Sequence, residues 1–250
     1  MKRKKILITG FPHSGTSILK SKLGECPNLY ECVYEESFVK EEHIAKEQGK
    51  EYILTKTPIL PIDIRAGGIH FTRVPESRYY EYIIILVVRN PWNVFTSLIK
   101  DGKDPLNKFE VNQSQDYHIR LSEWLVASQF FLNAKQSKLE DVYTIKYEDF
   151  FTNNFENLYR LMDSIGLQYS ENIFSEKTKN YIHAPGVNYD NIDPNDVSYA
   201  KNRLELRTWQ INQPFQNMNG EVNIPEELNK LLTESDIVQE LGYTDPRLTH

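Results

Sequence analysis

Cysteine is almost absent: Cys26 and Cys32 are the only two in 250 residues. Two thiols are too few for a disulfide scaffold, they have no metal-like neighbours, and their scarcity suits a reducing compartment. The chain is therefore read as cytoplasmic. Long apolar runs are missing as well. The longest, Ile83–Val88, is far short of the roughly 20 residues that a membrane helix needs, so no membrane insertion is expected. Positive charge is not in excess: 29 Lys and Arg against 35 Asp and Glu leave a net charge of −6. That balance argues against nucleic acid as a partner and requires any anion site to be a local positive pocket. No cluster of carboxylates or histidines has ligand spacing, so no metal is expected. The basic start, Met1-Lys-Arg-Lys-Lys5, leads into a Gly-Pro-His loop instead of the apolar core of a signal peptide. Repeats, low-complexity tracts and linkers are also lacking, and residues 1–250 are read as one α/β domain.

What is present begins at once. In Lys5–Leu23, KILITGFPHSGTSILKSKL, Ile6, Leu7 and Ile8 form a short apolar strand bounded by Gly10 and Pro12. Small residues follow at Ser14, Gly15, Thr16 and Ser17, and from Ile18 the pattern turns helical, with Leu19 and Leu23 four apart. A strand that breaks into a small-residue loop and opens a helix builds an anion site. The loop amides form a concavity, and the unpaired N–H groups of the first helical turn carry partial positive charge. Phosphate is the expected guest. Gly10 and Gly15 have Walker spacing, but Thr16 stands where that motif needs Lys, which counts against an ATP or GTP hydrolase.

Downstream, strands and helices alternate. Strands are expected at Leu29–Val33, Glu51–Thr55, Tyr82–Val88 and Val142–Lys146, and helices at Glu35–Gln48, Pro91–Lys100, Asp116–Gln136, Asn154–Ile165, 202–211 and Pro225–Gln239. The unbroken Ile/Leu/Val run before Arg89 reads as a central parallel strand covered on both faces. The fold class is α/β, a three-layer P-loop-type sandwich with a mainly parallel central sheet flanked by helices. Ligands of such sheets bind beyond the C-terminal strand ends, where the first loop, Lys56 and Arg89 would all emerge.

Pro12-His13-Ser14-Gly15-Thr16-Ser17 resembles the first phosphate loop of sulfotransferases that use 3′-phosphoadenosine 5′-phosphosulfate (PAPS), with His13 in place of a Lys or Arg. ILVVRNPWNVFTSLI, residues 85–99, resembles their second phosphate motif, a strand-ending Arg followed by a helical Ser. The resemblance implies that Pro12, His13, Ser14, Gly15, Thr16 and Ser17 bind the 5′-phosphosulfate, and that Arg89 and Ser97 hold the 3′-phosphate. Lys56-Thr57-Pro58 is similar to a strand end of carbohydrate-type and tyrosylprotein-type members, which would aim Lys56 at the sulfuryl group. Those members use a Glu after the second strand as base. YECVYEESF offers Glu31, Glu35 and Glu36, with Glu36 the first choice and Glu35 the second. Arg203, Arg207 and Trp209 fall where the family has a late basic loop over the nucleotide, and Arg207 is taken as a cofactor-side residue. Tyr147-Glu148-Asp149 and Leu241-Gly242-Tyr243 also recur in the family, the first with a structural role. His70 and His118 are read as ordinary histidines.

The resulting expectation is a PAPS-dependent sulfotransferase acting on a carbohydrate or other small hydroxylated molecule, with a Glu general base, Lys56 and His13 at the reacting bond, and no metal. Two alternatives stay open. A P-loop kinase or phosphotransferase is disfavoured by the missing Walker Lys, and an inactive nucleotide- or glycan-binding module is kept open by His13.

Overall fold

The computed structural model describes residues 4–32, 38–57, 62–63, 70–71, 82–102, 116–137, 140–174, 215, 217 and 220–248. Five strands form one parallel sheet: β1 (Lys4–Gly10), β2 (Leu29–Glu31), β3 (Tyr52–Thr57), β6 (Tyr82–Val88) and β7 (Val142–Lys146), in the order β2-β3-β1-β6-β7. Between β3 and β6, where the sequence sets no clear pattern, Ile62–Asp63 (β4) and His70–Phe71 (β5) make a short antiparallel pair. All seven residues of β6 are buried, as a central strand with both faces covered requires.

The helices are α1 (Thr16–Leu23), α2 (Phe38–Glu47), α3 (Pro91–Gly102), α4 (Asp116–Ser137), α5 (Glu156–Ile165), α6 (Glu226–Thr233) and α7 (Asp236–Glu240). Alternation along β1 divides the core in two. Ile6 and Ile8 pack with Leu19 and Leu23 of α1 and with Leu158, Leu161 and Met162 of α5. Leu7 belongs to the opposite layer, with Trp92 and Phe95 of α3, Trp124 and Phe131 of α4, and Leu228 and Leu232 of α6. The connection from β1 to β2 moves one way along the sheet and puts α1 on one face. The connection from β6 to β7 moves the other way and puts α3 and α4 on the other face, as right-handed crossovers demand. The loops after β1 and β6 therefore diverge, and a crevice opens between them.

Two expected elements are corrected. The single helix over Pro225–Gln239 is two helices, α6 and α7, broken at Glu234 and Ser235, where Ser235 is extended (φ −79°, ψ 120°). The break lets Leu228 and Leu232 of α6 and Val238 of α7 all reach the core. Burying each such side chain stabilises by about 1.5–3 kcal/mol. The exposed Lys230–Glu234 pair at 3.9 Å adds at most about 0.5 kcal/mol. Apolar burial, not surface charge, docks the C-terminal helices. Ahead of α5, Asn153, Asn154 and Phe155 have positive φ, so the helix starts at Glu156 instead of Asn154. The helix expected over 202–211 lies outside the described residues. No helix among the described residues is long and apolar enough to cross a membrane.

Candidate functional site

The site is built from the loop after β1. A Cβ on Gly10 would lie 2.3 Å from the carbonyl oxygen of Val87, so only glycine lets β1 run this close to β6. The Ser14 N–H donates to the carbonyl of Phe11 at 3.1 Å, closing a four-residue turn. Pro12 occupies its second position and His13, with φ 65°, its third. Pro followed by positive φ is the signature of a type II turn, and His tolerates that region better than most side chains. Gly15 follows at φ 91° and ψ 10° and is the N-cap of α1. The Tyr147 ring lies against it, 2.3 Å from where a Cβ would be. Among the described residues no side chain caps α1, so none of them offers a side-chain acceptor to the partial positive charge of its first N–H groups. Ser14 is fully buried, and its hydroxyl has no hydrogen-bond partner among the described residues. Thr16 is buried and Ser17 exposed.

Arg89 leaves the end of β6 on the far side of the crevice and is buried. Its Nη1 donates to the carbonyl of His13 at 3.1 Å. Its guanidinium lies 4.2 Å from the centre of the Tyr147 ring, in cation–π contact. The loop after β1 and the turn after β6, 76 residues apart in the chain, are thus joined directly. Burial lowers the proton affinity of Arg89, and Tyr147, Glu148 and Tyr243 pull it back up.

The turn after Arg89 is held by several groups. Asn90 caps α3, its Oδ1 accepting the Trp92 N–H at 3.1 Å across Pro91. Its Nδ2 donates to the carbonyl of Thr244 at 3.1 Å, and its backbone N–H donates to Glu148 Oε1 at 2.9 Å. Tyr243 donates its hydroxyl to Glu148 Oε2 at 3.0 Å. Lys146 Nζ donates to the carbonyl of Leu241 and lies 4.8 Å from the centre of the Tyr243 ring. The Tyr147-Glu148-Asp149 and Leu241-Gly242-Tyr243 runs therefore meet at the Arg89 turn.

Lys56 is buried near the end of β3, paired in register with Ile8 of β1. It continues the row of Leu54, on the sheet face that carries α1. Ser97 lies on α3, partly exposed, eight residues beyond Arg89. One turn before it is Asn93, which the sequence reading did not single out. Asn93 is buried, and its Nδ2 has no partner among the described residues. Its position four residues from both Arg89 and Ser97 was the available signal. Glu31, the third choice for a base, is paired with Lys20 Nζ at 3.2 Å. Lys20 also donates to the carbonyl of Cys32 at 2.5 Å, so that carboxylate already serves a structural contact. Glu35, Glu36, Arg203, Arg207 and Trp209 lie outside the described residues. His118 is exposed, 3.5 Å from Glu227. No cluster of three potential metal ligands occurs among the described residues.

No family model matches the sequence, and no curated protein matches it. Solved structures do resemble the fold. The sulfotransferase domain of the olefin synthase of Synechococcus PCC 7002 superposes with a TM-score of 0.55 at 15% identity, covering 98% of each chain. The sulfotransferase domain of the curacin biosynthetic pathway superposes with a TM-score of 0.54 at 16% identity, covering 98% of this chain and 99% of that one. The five-stranded parallel sheet with helices on both faces is the sulfotransferase fold.

Proposed function

We propose that the protein is a sulfotransferase that moves a sulfuryl group from PAPS to a hydroxyl of a carbohydrate or other small acceptor. The observation that carries this reading is the contact between Arg89 and the His13 carbonyl. It puts a guanidinium beside a helix N-terminus that no described side chain caps, at the diverging loops of a parallel sheet. That pair of anion sites suits a ligand with two separate phosphate groups. Residues Pro12–Ser17 take the 5′-phosphosulfate through backbone amides and hydroxyls, and Arg89 with Ser97 takes the 3′-phosphate. A guanidinium suits the task because its planar donors can fork onto two oxygens. Arg207 is assigned to the nucleotide side.

In the transfer the acceptor oxygen attacks sulfur in line. The new oxygen–sulfur bond forms as the bond to the 5′-phosphate breaks, and PAP departs. The acceptor proton passes to a Glu, with Glu36 assigned ahead of Glu35. Lys56 and His13 offset the charge that grows on the leaving phosphate. Alignment and charge neutralisation supply most of the acceleration, as in loose phosphoryl transfer, and no metal is assigned a role.

Calorimetry with PAP, AMP, ADP and ATP, with and without magnesium, tests the reading. PAP should bind at least about tenfold more tightly than AMP without magnesium, and Arg89→Ala should remove most of that gap. Loss of one charge-assisted contact is worth about 1.5–3 kcal/mol. Equal affinity for PAP and AMP, or a preference for ATP with magnesium, would refute it. In an acceptor-turnover assay, Glu36→Gln should be slower by about 10²–10⁴-fold with PAP affinity retained. Unchanged turnover would move the base to Glu35.

A further inference from the structure

The function above leaves Tyr147-Glu148 and Tyr243 without a task, yet they converge on the residue it depends on most. Tyr147 donates its N–H to the carbonyl of Val88 at 2.8 Å, so this dipeptide is fastened to the end of β6. From there it reaches Arg89 at both ends. The Tyr147 ring lies under the guanidinium at 4.2 Å, and Glu148 Oε1 accepts the N–H of the Arg89–Asn90 peptide at 2.9 Å. Turning that peptide about the Arg89 Cα–C bond would break the bond to Glu148 and strand a partly buried donor. The second carboxylate oxygen is held in turn by the Tyr243 hydroxyl at 3.0 Å, and Tyr243 is tied to α7 by its N–H to the carbonyl of Val238 at 3.1 Å.

We propose that Glu148 is the positioning residue of Arg89: its carboxylate, clamped between the Asn90 amide and the Tyr243 hydroxyl, fixes the Arg89 backbone and so the direction from which the guanidinium meets the 3′-phosphate. The proposal rests on the sulfotransferase reading, since it names what orients the 3′-phosphate group's partner. The physical gain is preorganisation. A free arginine side chain loses much rotamer freedom when it binds, and one already held by a ring, a carbonyl and a fixed backbone loses less. Among the described residues, Arg89, Lys146 and Asp149 are the other charged groups near this clamp. What the clamp needs is an acceptor for Asn90 and a partner for Tyr243. An amide satisfies both geometrically, because its oxygen accepts from Asn90 and its NH₂ can donate to the tyrosine oxygen.

The test measures PAP and AMP affinity by calorimetry in the parent, Glu148→Ala, Glu148→Gln, Tyr243→Phe and the double variant Arg89→Ala/Glu148→Ala. Glu148→Ala should lower the PAP-over-AMP preference about tenfold while AMP affinity stays near parent. Glu148→Gln should restore it to within about threefold. In the Arg89→Ala background, Glu148→Ala should change nothing further, because a residue that acts only through Arg89 has nothing left to orient. A merely structural role would weaken AMP and PAP alike and persist without Arg89. Where Glu148→Ala does not fold, Tyr243→Phe carries the test with an expected loss of about two- to threefold. A parent preference that survives intact in the variant overturns the proposal and leaves the function standing. A parent with no preference overturns the function, and the proposal with it.

Discussion

The loop after β1 and the turn after β6 face each other across the same crevice, and they are built in opposite ways. The loop is shaped mostly by its neighbours in sequence. A proline, a residue that tolerates positive φ and a glycine N-cap set Phe11–Gly15 within a few residues. The Arg89 turn depends on distant parts of the chain, through hydrogen bonds spanning 58, 76 and 154 residues. A phosphate cradle made of backbone amides can be local, because amides are present at every residue. A guanidinium on a long flexible stem must be held by other groups, and a strand end offers too few of its own.

Even the loop has tertiary contacts, the Arg89 bond to the His13 carbonyl and the Tyr147 ring on Gly15, and separating the ring from the local terms gives the largest expected effect. Gly15→Ala meets both a φ of 91° and the ring. It should cost about 2–4 kcal/mol in thermal or denaturant unfolding. In a Tyr147→Ala background the overlap disappears, and about 1–2 kcal/mol should remain for the backbone alone. The same full penalty with and without the ring would show that the ring adds nothing to the local terms.

Next in size is Asn90→Ala, which removes both the cap of α3 and the bond to Thr244. A loss of about 1–2 kcal/mol is expected by urea unfolding. PAP preference should weaken with it, because the turn loosens. Stability lost with preference untouched would show that α3 and the Arg89 turn are energetically separate.

The smallest effect is a pH slope. Burial holds the Glu148 carboxyl above its ordinary 4.5, against the downward pull of the Asn90 and Glu148 backbone N–H groups, Tyr243 and Arg89. A carboxyl whose folded pKa is raised takes up a proton on folding. Its contribution to stability is fully present below the unfolded value and is lost as pH rises through the folded one. The parent should therefore lose a little stability from about pH 4.5 upward, relative to Glu148→Gln, in matched unfolding curves. A difference that runs the other way would mean that the hydrogen bonds to the carboxylate outweigh its burial.

Legibility followed the same division. The apolar run Tyr82–Val88 and the strand, small-residue loop and helix of Lys5–Leu23 were readable because each rests on periodicity or local backbone preference. Asn93 was overlooked because its spacing from Arg89 and Ser97 is a weak signal until its burial is known. Glu31 looked like any strand-end carboxylate until Lys20 was found beside it. The continuous Pro225–Gln239 helix failed because no glycine or proline interrupts it. The break comes from fitting Leu232 and Val238 into one core from two directions.

By itself the sequence determined the parallel α/β architecture, the shape of the loop after β1 and the placing of Lys56 and Arg89 at strand ends, since strand alternation and turn chemistry act over a few residues. Tertiary structure alone decided what Arg89 rests on and which carboxylate holds its turn. Tyr147 and Glu148 come to it from just past β7, and Tyr243 from just past α7. Side chains this far apart in sequence are brought within hydrogen-bond reach only when the two core layers pack, and nothing in either segment's local pattern encodes that meeting.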